Sequence, residues 1–180
     1  LLAPRPPVMG VMALAGGGSR ALAWLLGVGG ASGFLLEAIV PYAVASMTDF
    51  LGYRPDQFVS PETARALARR AYCRALALRP VEVSVLGVAC TAALVTNRPR
   101  RGEHRCHVAA FGEAGLKACS LTLTKGARDR AEEEDLVSRL VLRTLAEAAG
   151  CDVAIPMALL EGERVKAERD DVREAVGRLL

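Results

Sequence analysis

Val8-Met-Gly-Val-Met-Ala-Leu-Ala-Gly-Gly-Gly-Ser19 is an apolar run that ends in three glycines and a serine, just before a helical pattern begins. It predicts a strand, a tight turn and a helix. Glycines at such a turn remove side chains that would hold a ligand away. The following helix N-terminus offers unpaired N–H groups and partial positive charge to an anion. Gly16, Gly17, Gly18 and Ser19 are therefore candidate contacts to a small phosphorylated ligand. The stretch is neither a G-x-G-x-x-G fingerprint nor a P-loop, so a plain strand-to-helix turn explains it equally well.

The 180 residues, 52% hydrophobic and 24% charged, can bury one core. The apolar window Ala21–Leu36 is broken by Gly27, Gly29, Gly30 and Gly33. It falls short of the roughly 20 residues of a membrane span. No signal-like start precedes the core, so the expected setting is cytoplasmic. A net charge of +3 and 4% aromatic residues give no reason to expect nucleic acid as a partner. Five cysteines without a C-x-x-C pair read as reduced, mostly buried thiols.

Outward from the opening stretch, Ser19–Leu26 has helical character and Glu37–Tyr42 is a candidate strand ended by Pro41. Ala43–Leu51 reads as a short helix closed by Gly52. Ser60-Pro61-Glu62 supplies an N-cap, a first-turn proline and a dipole-favourable acid for a helix to about Leu78. Val81–Ala89 has the β-branched, apolar character of a central strand, followed by a basic loop, Cys90 to Gly102. His104–Phe111 and Leu116–Thr124 flank Gly112-Glu-Ala-Gly115 as a hairpin. A long helix follows from about Arg130 to Ala149, with Val137, Leu140, Val141, Thr144 and Leu145 on one face. The expected fold is a three-layer α/β/α domain over residues 1–150, its mixed, mostly parallel sheet containing an antiparallel hairpin strand. Residues 151–180 read as a charged C-terminal extension, with Glu161–Arg173 an exposed helix or linker.

Few groups carry obvious chemistry. His104 and Cys106 fall on one face of their strand and His107 on the other, so no metal site is expected. Arg98-Pro-Arg-Arg101 and Glu132-Glu-Glu-Asp135 read as solvated faces, the acidic run favoured by its helix dipole. Arg128, just after Gly126 at the start of the long helix, can grip a phosphate in bidentate fashion or form a surface salt bridge. No G-x-S-x-G elbow marks a nucleophile.

The order of these motifs resembles the CinA C-terminal domain family of competence/damage-inducible proteins, whose bacterial members include nicotinamide-nucleotide amidases. The resemblance covers roughly Val8 to Gly150. It rests on the strand into Gly17-Gly18, on Gly30-Ala-Ser32 followed by Val40-Pro-Tyr42, on the strand ending Gly87-Val-Ala89, on the hairpin, and on Gly126-Ala-Arg-Asp129 before the last helix. The wording at Pro41-Tyr42, Ser60–Ala64 and Arg101–Arg105 resembles a divergent, largely eukaryotic branch, some of whose members carry a nucleotidylyltransferase-like domain downstream.

The family's amidases have A-E-S-C-T-G-G at the first turn, with the serine as nucleophile, and Y-S-N-E-A-K with tyrosine and lysine as its partners. Anchored on Tyr42, the resemblance places Ala15 at the serine, Leu14 at the glutamate and Met47 at the lysine, while Arg128 matches the arginine of G-D-R. A hydroxyl without a basic neighbour is a poor nucleophile, and here both are replaced. The resemblance thus implies a domain of nucleotide metabolism that binds a small phosphorylated nucleotide, a pyridine nucleotide by preference, and acts as a sensor or scaffold. No separate cofactor is called for. The implied ligand residues are Gly16, Gly17, Gly18, Ser19, Tyr42, Cys90, Thr91 and Arg128, and association into a homo-oligomer is expected. The alternative is an active nicotinamide-nucleotide amidohydrolase with a rearranged site that recruits Ser19, Cys90, Thr91 or Lys125.

Overall fold

The computed structural model describes residues 8–97 and 101–169. Six strands form one sheet: β1 (Val8–Ala15), β2 (Leu35–Ile39), β3 (Ser84–Ala93), β4 (His104–Gly112), β5 (Gly115–Leu123) and β6 (Arg164–Arg169). Among the described residues four α-helices accompany them: α1 (Ser19–Leu26), α2 (Val44–Leu51), α3 (Pro61–Leu78) and α4 (Arg130–Ala148). The strand order is β2-β1-β3-β4-β5-β6. β1 is parallel to β2 and β3, and the pairings from β3 to β6 are antiparallel. This is the mixed α/β/α sandwich expected from the sequence. No helix among the described residues is long and apolar enough to cross a membrane.

Strand alternation divides the core into two halves. Met12 and Leu14 of β1 pack with Val88, Cys90 and Val108 beneath α1 and α4, through Ala21, Val137, Leu140 and Val141. Val11, Ala13 and Ala15 turn the other way, with Ala89 and Ala109, against Met47 and Leu51 of α2 and Leu67, Ala68 and Ala71 of α3. Each fully buried valine or leucine contributes about 1.5–3 kcal/mol. Small residues dominate the α3 side because that helix lies very close to the sheet. A Cβ on Gly87 would collide with the backbone of Ala68 and Tyr72.

The helix ends follow their capping chemistry. Ser60 Oγ accepts from the Thr63 N–H at 3.1 Å with Pro61 at the first position. Asp129 and Glu132 form a reciprocal capping box on α4.

Four local expectations are corrected. β2 lies at Leu35–Ile39 rather than Glu37–Tyr42, because Pro41 cannot donate to the sheet and Val40 already stands outside it. β3 continues to Ala93, so Cys90 and Thr91 are strand residues and not part of a loop. The Glu132–Asp135 run is not a solvated face, since Glu133 is wholly buried and Glu134 nearly so, each held by partners on other elements. Of the stretch expected as an exposed helix or linker, Glu161–Arg173, the described part is neither, because residues 164–169 pair with β5 as an edge strand. Within the basic loop Arg98, Pro99 and Arg100, and at the other end residues 170–173, lie outside the described residues.

Candidate functional site

β1 passes to α1 on one face of the sheet, whereas its neighbour β3 arrives from α3 on the other. Between the carboxyl ends of two such parallel strands an α/β sheet opens a crevice, the usual place for a ligand. Two adjoining cavities occupy it here. One, of about 440 Å³, is lined by Leu14, Gly16, Gly17, Ser19, Val40, Tyr42, Arg130 and Glu134, among others. The second, of about 290 Å³, includes Ala15, Tyr42, Met47, Phe58, Ala92, Leu94 and Arg130. Gly16, Tyr42 and Arg130 belong to both, so the two form one cleft.

The glycines of the turn have internal reasons. Gly16 has φ +83°, and a Cβ there would strike the Ala92 carbonyl oxygen. A Cβ on Gly17 would crowd Ala92 and Leu94, and one on Gly18 would press on Val141. Packing of the turn against β3 and α4 thus requires small residues without reference to a ligand. The N-terminus of α1 is also occupied from within. Glu134 Oε1 accepts from the Ser19 N–H at 2.6 Å and from Ser19 Oγ at 2.8 Å. Ser19 is therefore not a helix cap, since Gly18 holds that position and the capping carboxylate comes from α4. An anion expected at the glycine turn meets an internal anion already in place.

The other expected contacts separate. Tyr42 is 76% exposed and stands at the mouth of the cleft. Cys90 is wholly buried in the α4-side core and Thr91 is wholly buried as well. Neither lines the cleft, because β3 carries both into the sheet's interior. Arg128 is turned away from the glycine turn. Its Nε and Nη2 make 2.8 Å bonds to the two carboxylate oxygens of buried Glu163, and Nη2 also donates to the Ala158 carbonyl. That pairing raises the guanidinium's pKa and holds the Glu163 carboxyl below its ordinary range. Lys125 donates to the Arg101 carbonyl, outside the cleft.

The residue missed in the sequence is Arg130. Its Nη2 donates to the Gly16 carbonyl at 3.0 Å and its Nη1 to Val95 at 3.3 Å, and it approaches Glu134 Oε2 at 3.7 Å. Half of the side chain remains exposed, so a guanidinium bridges the cleft with donors to spare. Its only sequence signal was its place at the first position of the last helix, two residues beyond the arginine that matched a motif. His104 and His107 diverge as alternation required: His104 Nδ1 lies 2.6 Å from Glu133 Oε1 on the α4 side, and His107 Nδ1 lies 2.7 Å from Ser120 Oγ on the other.

No family model and no curated protein matches the chain. Solved structures do. The competence/damage inducible protein CihA from Agrobacterium tumefaciens superposes with a TM-score of 0.63 at 21% identity, over 81% of this chain and 86% of that one. A CinA superfamily protein from Escherichia coli gives 0.61 at 15% identity, over 79% and 80%. A competence or damage-inducible protein from Enterobacter asburiae gives 0.58 at 16%, over 81% and 86%. At these identities the likeness is one of fold, and the fold is CinA-like.

Proposed function

We propose that this domain binds a small phosphorylated nucleotide, with a pyridine nucleotide the first candidate, in the cleft beyond β1 and β3, and that it does not hydrolyse it. It then serves as a sensor or scaffold in pyridine-nucleotide metabolism. The observation that carries this reading is the convergence of Ala15, Tyr42 and Met47 on one cavity. The resemblance assigns these three positions to the serine, tyrosine and lysine of the amidases. The aromatic ring is kept where a base or ribose can lie on it, while a methyl group and a thioether replace the reacting groups. Neither can attack a carboxamide or accept a proton.

Arg130 takes the role expected of Arg128. Its exposed guanidinium can hold a phosphate at the cleft without displacing Glu134 from α1. Hydrolysis through a rearranged site has less support. The N–H and hydroxyl of Ser19 both bond the same Glu134 oxygen, as in a helix cap, and Cys90, Thr91 and Lys125 lie elsewhere. Self-association, which would cover exposed Val40 and Val44 beside the cleft, belongs to the same reading.

The test is thermal unfolding with nicotinamide mononucleotide, accompanied by an ammonia assay. Ligand at a hundred times its Kd adds about 2.7 kcal/mol of stability. A shift without ammonia release supports the proposal. Turnover abolished by Ser19→Ala overturns it in favour of catalysis, and no shift with any nucleotide at millimolar concentration overturns the binding reading.

A further inference from the structure

The buried polar atoms that lack a hydrogen bond include Thr91 Oγ1, Ser138 Oγ and Glu134 Oε2. Thr91 and Ser138 carry neutral hydroxyls and line neither cavity of the cleft. Glu134 differs from both, because it carries a carboxylate, is only 9% exposed and forms part of the cleft wall. Arg130 Nη2 approaches its Oε2 at 3.7 Å, too far for a hydrogen bond. A buried carboxylate oxygen without a donor is costly, and one in a ligand cleft calls for a donor that the ligand brings.

The other half of the carboxylate decides what that donor is. Oε1 accepts from the Ser19 N–H at 2.6 Å and from Ser19 Oγ at 2.8 Å, so α1 holds and aims the group. With its proton committed to Oε1, Ser19 Oγ keeps only its capacity to accept. Ser19 is exposed and lines the same cavity as Glu134. The turn therefore offers a ligand two acceptors on neighbouring groups, while the Ser19 N–H that a phosphate would seek is already used. An ionised phosphate only accepts, and a carboxylate repels it. A pair of hydroxyls donates twice. Gly17 places no side chain over this approach, where a Cβ would stand 3.4 Å from Glu134 Oε2.

We propose that the glycine turn reads the sugar of the bound nucleotide and not its phosphate. Glu134 Oε2 and Ser19 Oγ accept the two hydroxyls of a ribose cis-diol, and Arg130 turns its half-exposed guanidinium outward to the phosphate. One hydroxyl thus takes the place beside Oε2 that Arg130 vacates. This inference rests on the nucleotide reading above and adds to it the part of the ligand that sets specificity. The domain selects a ribonucleotide over its deoxy counterpart, whatever base lies on Tyr42. Glu134 then has two tasks, with Oε1 capping α1 and Oε2 facing the sugar.

Titration calorimetry of the whole chain tests this by comparing nicotinamide mononucleotide with its dideoxy analogue, which keeps the pyridine ring and the phosphate but lacks both ribose hydroxyls. The analogue should bind roughly tenfold more weakly or worse, as expected for losing a hydrogen bond to a carboxylate. Glu134→Gln keeps a carbonyl oxygen for the Ser19 N–H and hydroxyl and removes the charge. It should weaken the mononucleotide about tenfold and leave the analogue unchanged. The two ligands are compared on the native chain, so that result holds even if the variant fails to fold. Equal affinity for the two ligands overturns the inference and leaves the nucleotide reading standing. The inference also falls if Glu134→Gln tightens both ligands, which returns the phosphate to the turn, or weakens both alike, which makes Glu134 a helix cap alone. Binding of neither ligand by the native chain overturns the nucleotide reading itself, and the inference with it.

Discussion

The two walls of the cleft are built from opposite materials. On the α4 wall nearly every charged group is bonded within the chain: Glu133 to His104 and the Val95 N–H, Glu134 to Ser19, Arg130 to the Gly16 and Val95 carbonyls. Just beyond it, Arg128 grips Glu163. On the α2 wall, Tyr42, Val44, Met47 and Phe58 present apolar surface, with Tyr42 and Val44 largely exposed. The polar wall is committed to holding the turn, the β3–β4 connection and the C-terminal segment together. The apolar wall has surface to give to a ligand. Charged groups near a glycine turn are therefore poor evidence for catalysis until their partners are known.

Removing the stitches on the polar wall should have the largest effect. Glu163→Ala leaves the nearly buried Arg128 guanidinium without its carboxylate, and chemical denaturation should show a loss of about 3–5 kcal/mol. The same pair sets a pH dependence. Because the folded-state pKa of Glu163 is depressed, its stabilisation is present above the ordinary carboxylate pKa and disappears as pH falls through the lowered value. Acid titration of stability should thus be steeper for the native chain than for Glu163→Gln. A variant that unfolds with an unchanged acid limb would remove the pair from this account.

Truncating the apolar wall comes next. Met47→Ala opens a cavity beside α2, and a loss of about 2–3 kcal/mol in denaturant unfolding is expected. Glu134→Ala removes the carboxylate cap of α1 and should cost about 1–2 kcal/mol, as cap losses do. Hydrogen exchange at the first turn of α1 should then accelerate, and unchanged exchange would deny the cap. The smallest change in stability belongs to Arg130→Ala. It should move the unfolding temperature little and yet weaken nucleotide binding about tenfold by calorimetry, a loss of about 1.4 kcal/mol. If it were the most destabilising change of the set, Arg130 would belong with the stitches instead of the site.

The fold was largely legible because its signals are local. Ser60-Pro61-Glu62 and the glycines around the β4–β5 turn set element ends through caps and turns that neighbouring residues satisfy. β6 was illegible, since an edge strand rich in arginine and lysine has the same charge pattern as a solvated linker until β5 pairs with it. The cleft was half legible. Tyr42, Ala15 and Met47 could be placed by resemblance, but the burial of Glu133 and Glu134 depends on His104 and Ser19, 29 and 115 residues away. Arg128 and Arg130 differ by two positions, and only their partners distinguish the structural arginine from the one facing the cleft.

Proton NMR of nicotinamide mononucleotide incubated with the protein reads binding and chemistry at once. The account predicts broadening of the pyridine ring protons that Arg130→Ala removes, with the carboxamide intact. Conversion to the carboxylate with release of ammonia, or ring lines unaffected by the protein, would contradict it.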